Sequence, residues 1–113
     1  MAFSTCINVY VGRGNVTEIV PYSDVTEGEL LDMSGAAKVE VCVGGAESDS
    51  DLLPTAIWWA QDGDGVWTIY AKLGLVPAIV VGQQDLRVTV YDGDYTSGLV
   101  LTHDTQLYVI GPC

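Results

Sequence analysis

Residues 84–107 read QDLRVTVYDGDYTSGLVLTHDTQL, and the alternation inside them decides the fold class. Leu86, Val88 and Val90 alternate with Arg87, Thr89 and Tyr91, so an extended chain turns an apolar face one way and a wettable face the other. That period of two belongs to a half-buried strand; a helix would need apolar residues three and four apart. Asp92, Gly93 and Asp94 interrupt the run with turn formers, and residues 98–101, GLVL, begin a second apolar segment. Leu107, Val109 and Gly111 finish the chain in the same alternating style.

The rest of the sequence falls in behind this pattern. Residues 30–43, LLDMSGAAKVEVCV, bend at 32–35 and then run as a strand, with Val39, Val41 and Val43 on one face and Lys38, Glu40 and Cys42 on the other. Residues 52–61 and 66–73 flank Asp62-Gly63-Asp64-Gly65 and are predicted to form a hairpin, with Trp67, Ile69, Ala71 and Leu73 sharing one face. At the start, Ile7, Val9 and Val11 alternate with Cys6, Asn8 and Tyr10. After the turn signal at 12–15, residues 16–21 are expected to pair back as a second hairpin arm, which Pro21 ends or places at a sheet edge. Residues 22–28 read as a loop in which Ser23 and Asp24 cap at most one helical turn before Gly28. Residues 44–51, GGAESDSD, are predicted as a mobile surface loop, and residues 75–81 as a short buried strand or a crossing between sheets that Gly82 ends. Turn signals recur about every ten residues and no helical stripe appears, which is the cadence of an antiparallel sandwich or barrel.

Composition bounds the function classes. A chain of 113 residues is read as one domain, 1–113, with a single core. At 49% hydrophobic it is too apolar for a disordered tail, and it contains no unbroken apolar run of membrane-spanning length. The opening MAFSTCINVYVGRG lacks a basic n-region, so secretion through a signal peptide is not expected. Fifteen Asp and Glu against four Lys and Arg give a formal charge of −11, which opposes binding to nucleic acid and to anionic membranes. The charge reads as a solubility device, with a basic docking partner or bound cations as the sharper alternative. Of three cysteines, one must stay unpaired, and no CxxC spacing occurs, so neither a disulfide framework nor a zinc site is expected. Cys6 and Cys42 sit in strand patterns as small hydrophobes, consistent with reduced thiols in an intracellular assembly environment.

Catalytic signatures are not found in the sequence. His103 is the one histidine and falls with Asp104 in a predicted turn; no G-x-S-x-G is present, and Gly12-Arg13-Gly14 lacks the third glycine of a dinucleotide fingerprint. No catalytic residue, cofactor or metal is therefore assigned. The acidic turns Asp62-Gly63-Asp64, Asp92-Gly93-Asp94 and 47–51 offer hard oxygen ligands to calcium, but Asp-Gly is also what a two-residue hairpin requires, and the structural reading is preferred. Aromatic residues supply the candidate contact site. Trp58 and Trp59 are adjacent, so on a strand one faces the core and the other faces outward, beside Tyr70 or Tyr91; both being buried is the alternative. Trp58, Trp59, Tyr70 and Tyr91 are the interface candidates, suited to a protein partner or to stacking on a sugar ring.

One resemblance adds to this reading. Met33-Ser34-Gly35-Ala36 before a strand, Val88-Thr89-Val90-Tyr91-Asp92, and Gly98-Leu99-Val100-Leu101-Thr102 together are similar to the pattern of small Ig-like β-sandwich domains of tailed-bacteriophage virion proteins. The nearest such pattern is the N-terminal domain of baseplate upper proteins, and the similarity spans residues 16–111. It implies an all-β, Ig-like antiparallel β-sandwich of about seven to nine short strands. It also implies a non-catalytic virion structural protein, assembled in the host cytoplasm, that docks on the particle as capsid decoration or cement, or at the neck or tail. Because the chain ends at Cys113 without receptor-binding parts, the expected role is a stand-alone accessory subunit. The expected partners are other virion proteins of capsid or tail, with a homo-oligomer or many copies per particle, no nucleic acid and no membrane. Residues 1–4 and 111–113 are expected to reach a neighbour. The alternative is a glycan- or calcium-binding β-sandwich module used for host or surface attachment.

Overall fold

The computed structural model describes residues 5–21, 32–93, 95–101 and 105–111. Nine strands lie among them: β1 (Thr5–Tyr10), β2 (Thr17–Ile19), β3 (Ala36–Val43), β4 (Ala46–Asp49), β5 (Ile57–Gln61), β6 (Trp67–Ala71), β7 (Gly82–Asp92), β8 (Leu99–Leu101) and β9 (Thr105–Ile110). They form two sheets. One has the order β1-β9-β7-β3-β4 with β8 also paired to β7, and the other has the order β2-β6-β5.

The valine alternation read from the sequence is what joins the sheets. Val39, Val41 and Val43 of β3 and Leu86, Val88 and Val90 of β7 all point into one core with Ile19, Ile57, Ile69, Leu107 and Val109. β3 and β7 pair antiparallel from Ala36↔Asp92 to Val43↔Leu86, with one bulge between Ala36 and Lys38, so two apolar ladders lie side by side at the centre. Each fully buried aliphatic side chain there contributes about 1.5–3 kcal/mol. The second sheet covers this ladder with Ile19, Ile57, Ile69 and Ala71. Strands β2, β6 and β5 face β9, β7, β3 and β4, with β1 running parallel to β9 at the edge. That arrangement is a β-sandwich, antiparallel apart from the β1–β9 pair.

Several local expectations are corrected. The turn at 12–15 does not close a hairpin: β1 pairs β9 in parallel, while β2 pairs β6 in the other sheet. Residues 44–51 are not a loop. Gly44 (φ 61) and Gly45 make a two-residue turn, and Ala46 and Ser48 point inward from β4 opposite Val43 and Val41. Residues 75–81 contain no strand. After β6 a 3-10 turn, Leu73–Leu75, leads through buried Val76 to exposed Val80 and Val81, and Gly82 begins β7 rather than ending a run. The wettable face of β7 is not wet throughout either, because β8 and the connection ahead of it cover Thr89, which is buried. The bend at 32–35 and the β5–β6 hairpin form as expected. Residues 22–28, His103 and Asp104 lie outside the described residues, as do residues 1–4, 112 and 113.

The strand directions sort the connections by end. Those at 11–16 and 72–81 share one end of the sandwich, where the Gly12 N–H donates to the Gly74 carbonyl at 2.8 Å. The β5–β6 loop and the connection from β7 to β8 share the other.

Candidate functional site

The β5–β6 hairpin positions the first pair of candidates. Its loop holds the expected Asp62-Gly63-Asp64-Gly65 turn together with Val66: the Asp62 N–H donates to the Val66 carbonyl (2.9 Å), and the Asp62 carboxylate accepts from the N–H groups of Asp64 (2.8 Å) and Val66 (3.0 Å). The resulting register sets Trp58 opposite Tyr70 and Trp59 opposite Ile69. Trp59 therefore packs against the core margin, while Trp58 stands on the outer face of the three-stranded sheet. There its ring stacks on Tyr70 with centroids 5.5 Å apart and planes 15° apart, and the Lys72 ammonium lies 5.7 Å from the Trp58 centroid. Exposed Glu18 of β2 lies across from Tyr70. Beside the two tryptophans an open groove of about 290 Å³ runs between the sheet edges, lined also by Ala37, Ser50, Asp51, Pro54 and Ile57.

Tyr91 is elsewhere. It stands on the outer face of the larger sheet with the Lys38 ammonium 4.5 Å from its centroid, and the thickness of the sandwich separates it from Trp58 and Tyr70. The structure thus brings together Trp58 and Tyr70, turns Trp59 inward and places Tyr91 on the opposite side. Because Trp58 and Tyr70 stack on each other, one aromatic face of each is already occupied, which leaves a narrower platform for a sugar ring than two rings lying side by side.

The carboxylates of the acidic turns serve their own backbone. Asp49 accepts from Asp51 and Leu52 N–H, both at 2.9 Å, and Asp92 accepts from Tyr95 N–H at 2.8 Å. Asp32 accepts from Ser34 N–H at 2.9 Å, and this bond, followed by the Ser34 hydroxyl, holds its carboxyl below the usual carboxylate range. These are Asx turns, which shape a chain reversal without any ion. Among the described residues, no three His, Cys, Asp or Glu side chains gather in a group that could hold a metal ion. The Cys42 thiol is free and donates to the Gly44 carbonyl at 3.1 Å.

The sequence reading missed another surface. Tyr108 and Ile110 of β9 and Tyr10 of β1 point away from the core, with Asn8 opposite Tyr108 and Tyr10 opposite Ile110. Val80 (60% exposed), Val81 (59%) and exposed Leu75 lie at the same end. Its signal was present: the outward positions of residues 6–11 and 105–110 include Tyr10, Tyr108 and Ile110, so both faces of these strands carry apolar groups. No protein-family model, no curated protein and no solved structure matches the chain.

Proposed function

We propose that this chain is a non-catalytic structural subunit of a bacteriophage virion, an Ig-like module that docks on the particle surface. The observation that carries the reading is the presence of large apolar and aromatic side chains on the outer faces of both sheets: Trp58 and Tyr70 on one, and Tyr10, Tyr108 and Ile110 on the other. A sandwich acting alone has its core between the sheets and gains nothing from such residues outside it; a sandwich wedged among other subunits buries them. The acidic turns fit this reading, because their carboxylates hold loops in shape rather than converging on a shared point. The negative charge opposes indiscriminate aggregation of subunits before they dock.

Fractionating purified virions into heads and tails and locating the chain by mass spectrometry tests the proposal. Many copies on heads support capsid decoration, recovery with tails supports a neck or tail position, and absence from both refutes a virion role. Titration with soluble sugars and with calcium tests the attachment-module alternative. Quenching of tryptophan fluorescence or a rise in Tm at saturating ligand would favour it over docking.

A further inference from the structure

Among the described residues, the acidic side chains avoid one end of the molecule, and the exposed apolar residues gather there. Of the nine large hydrophobic side chains exposed among the described residues, Tyr10, Val16, Leu75, Val80, Val81, Tyr108 and Ile110 belong to this end and the sheet face adjoining it. Residues 10–17, 72–84 and 108–111, which build it, contain no Asp or Glu in a chain of net charge −11. The first carboxylates met on leaving it are Glu18 and Asp85. Backbone bonds hold it in shape: Val11 N–H to Ile110 O (3.0 Å), Arg13 N–H to Tyr10 O (3.0 Å) and Gly12 N–H to Gly74 O (2.8 Å).

We propose that a second copy of this chain covers this surface, the two copies meeting patch to patch about a two-fold axis. The inference rests on the docking reading above only in taking an outer face as a contact surface. Charge selects the occupant. A basic partner would seek carboxylates, and the described residues of this surface include none, whereas two acidic copies approach with least repulsion through the ends where the described residues carry none. The exposed parts of the seven side chains amount to on the order of 600 Å², at the top of the roughly 300–600 Å² of a monomer's largest patch and below the roughly 800 Å² per partner of a standard interface. The pair is therefore expected to be weak and reversible.

Sedimentation equilibrium of the intact chain, from micromolar to millimolar concentration, tests this. The wild type is expected to pass from monomer to dimer. Val81→Asp and Ile110→Asp, both at exposed positions, stay monomeric at every concentration while far-UV circular dichroism and Tm match the wild type, and Trp58→Asp still dimerises. A wild type that is monomeric at millimolar concentration, or a dimer indifferent to Val81→Asp and Ile110→Asp, overturns the proposal. A monomer recovered on virions overturns this inference and leaves the virion role standing; a dimer of this kind absent from virions does the reverse.

Discussion

Replacing Gly74 by alanine gives the sharpest test of how the acid-free end is built. Gly74 sits in the 3-10 turn between β6 and β7, and a methyl group there would collide with the Tyr10 carbonyl oxygen and reach 3.0 Å from the Arg13 carbonyl oxygen. Both obstacles are backbone, so no rotamer change relieves them. The turn must instead move away from the end of β1, which stretches the 2.8 Å bond from Gly12 N–H to Gly74 O. Overpacking of this kind costs about 1–3 kcal/mol, and weakening a backbone hydrogen bond adds about 1 kcal/mol, giving a total near 3 kcal/mol. For a chain of this size that is a large share of a total stability of about 5–15 kcal/mol. With a urea m-value of about 1.5 kcal/mol/M the midpoint falls by about 2 M, and Tm falls by roughly 12 °C.

Tryptophan fluorescence reads the unfolding, and two other glycines calibrate it. Gly12 has open space around its α-carbon but a φ of +75, so Gly12→Ala costs about 1 kcal/mol from backbone strain alone. Gly35 meets nothing within 4 Å and has no such φ, so Gly35→Ala changes stability by less than about 0.5 kcal/mol. The expected order of loss is Gly74, then Gly12, then Gly35. A Gly74→Ala midpoint no lower than that of Gly12→Ala would refute the close seating of the 3-10 turn on β1, and with it the preformed surface beside Tyr10.

Three further outcomes follow from side chains elsewhere. The Ser48 hydroxyl is buried with no hydrogen-bond partner among the described residues, so Ser48→Ala raises stability by about 1 kcal/mol in urea unfolding; a loss would mean that the hydroxyl is satisfied in solution. Asp62→Ala removes both bonds to Asp64 and Val66 N–H and costs about 1 kcal/mol, whereas Asp62→Asn keeps an acceptor and costs less than half of that; equal losses in the two variants would sink the Asx-turn account. Asp32 has a lowered folded pKa, so the stability it adds is complete above the ordinary carboxylate pKa and disappears as pH falls through the lowered value, a window below about pH 4. Carboxyl NMR titration should show Asp32 titrating below the usual Asp range in the wild type and moving part of the way toward that range in Ser34→Gly, which loses the hydroxyl but keeps the N–H, with a small fall in Tm at pH 7.

The parts legible in the sequence are those governed by near neighbours. Alternation in β3 and β7 named the core valines, and the Asp-Gly loop at 62–65 set the β5–β6 hairpin, from which the opposite orientations of Trp58 and Trp59 follow. A turn signal, however, says only that the chain reverses. The one at 12–15 sends β2 into the other sheet because β1 is taken up by β9, about a hundred residues away in sequence, and such pairing leaves no local mark. β4 was masked by composition: Glu47, Ser48 and Asp49 are poor strand formers, and the edge position with a neighbouring valine ladder overrides that preference. Tyr91 was grouped with Trp58 and Tyr70 because residue type carries no information about which sheet a strand will join.

Charge and topology together give the molecule a direction that neither gives alone. Asp32, Asp62 and Asp92 flank or occupy connections at the end opposite Gly74, while Arg13 and Lys72 border the acid-free end. The acidic end repels its like in a neighbouring copy, and the apolar end attracts its own, so association through the second does not compete with contact through the first. The Trp58–Tyr70 pair, on the outer face of the other sheet, stays open when two copies meet through β1 and β9. A dimer of this kind presents two such pairs to a surface at once, and the second contact is then made at the effective concentration set by the first. A weak aromatic contact on each copy would thereby become strong attachment of the pair, as the proposed docking role requires. If so, Val81→Asp should weaken particle binding as much as Trp58→Ala does, although Val81 lies far from the docking face. A Val81→Asp chain that binds virions as tightly as the wild type would show that each copy docks by itself.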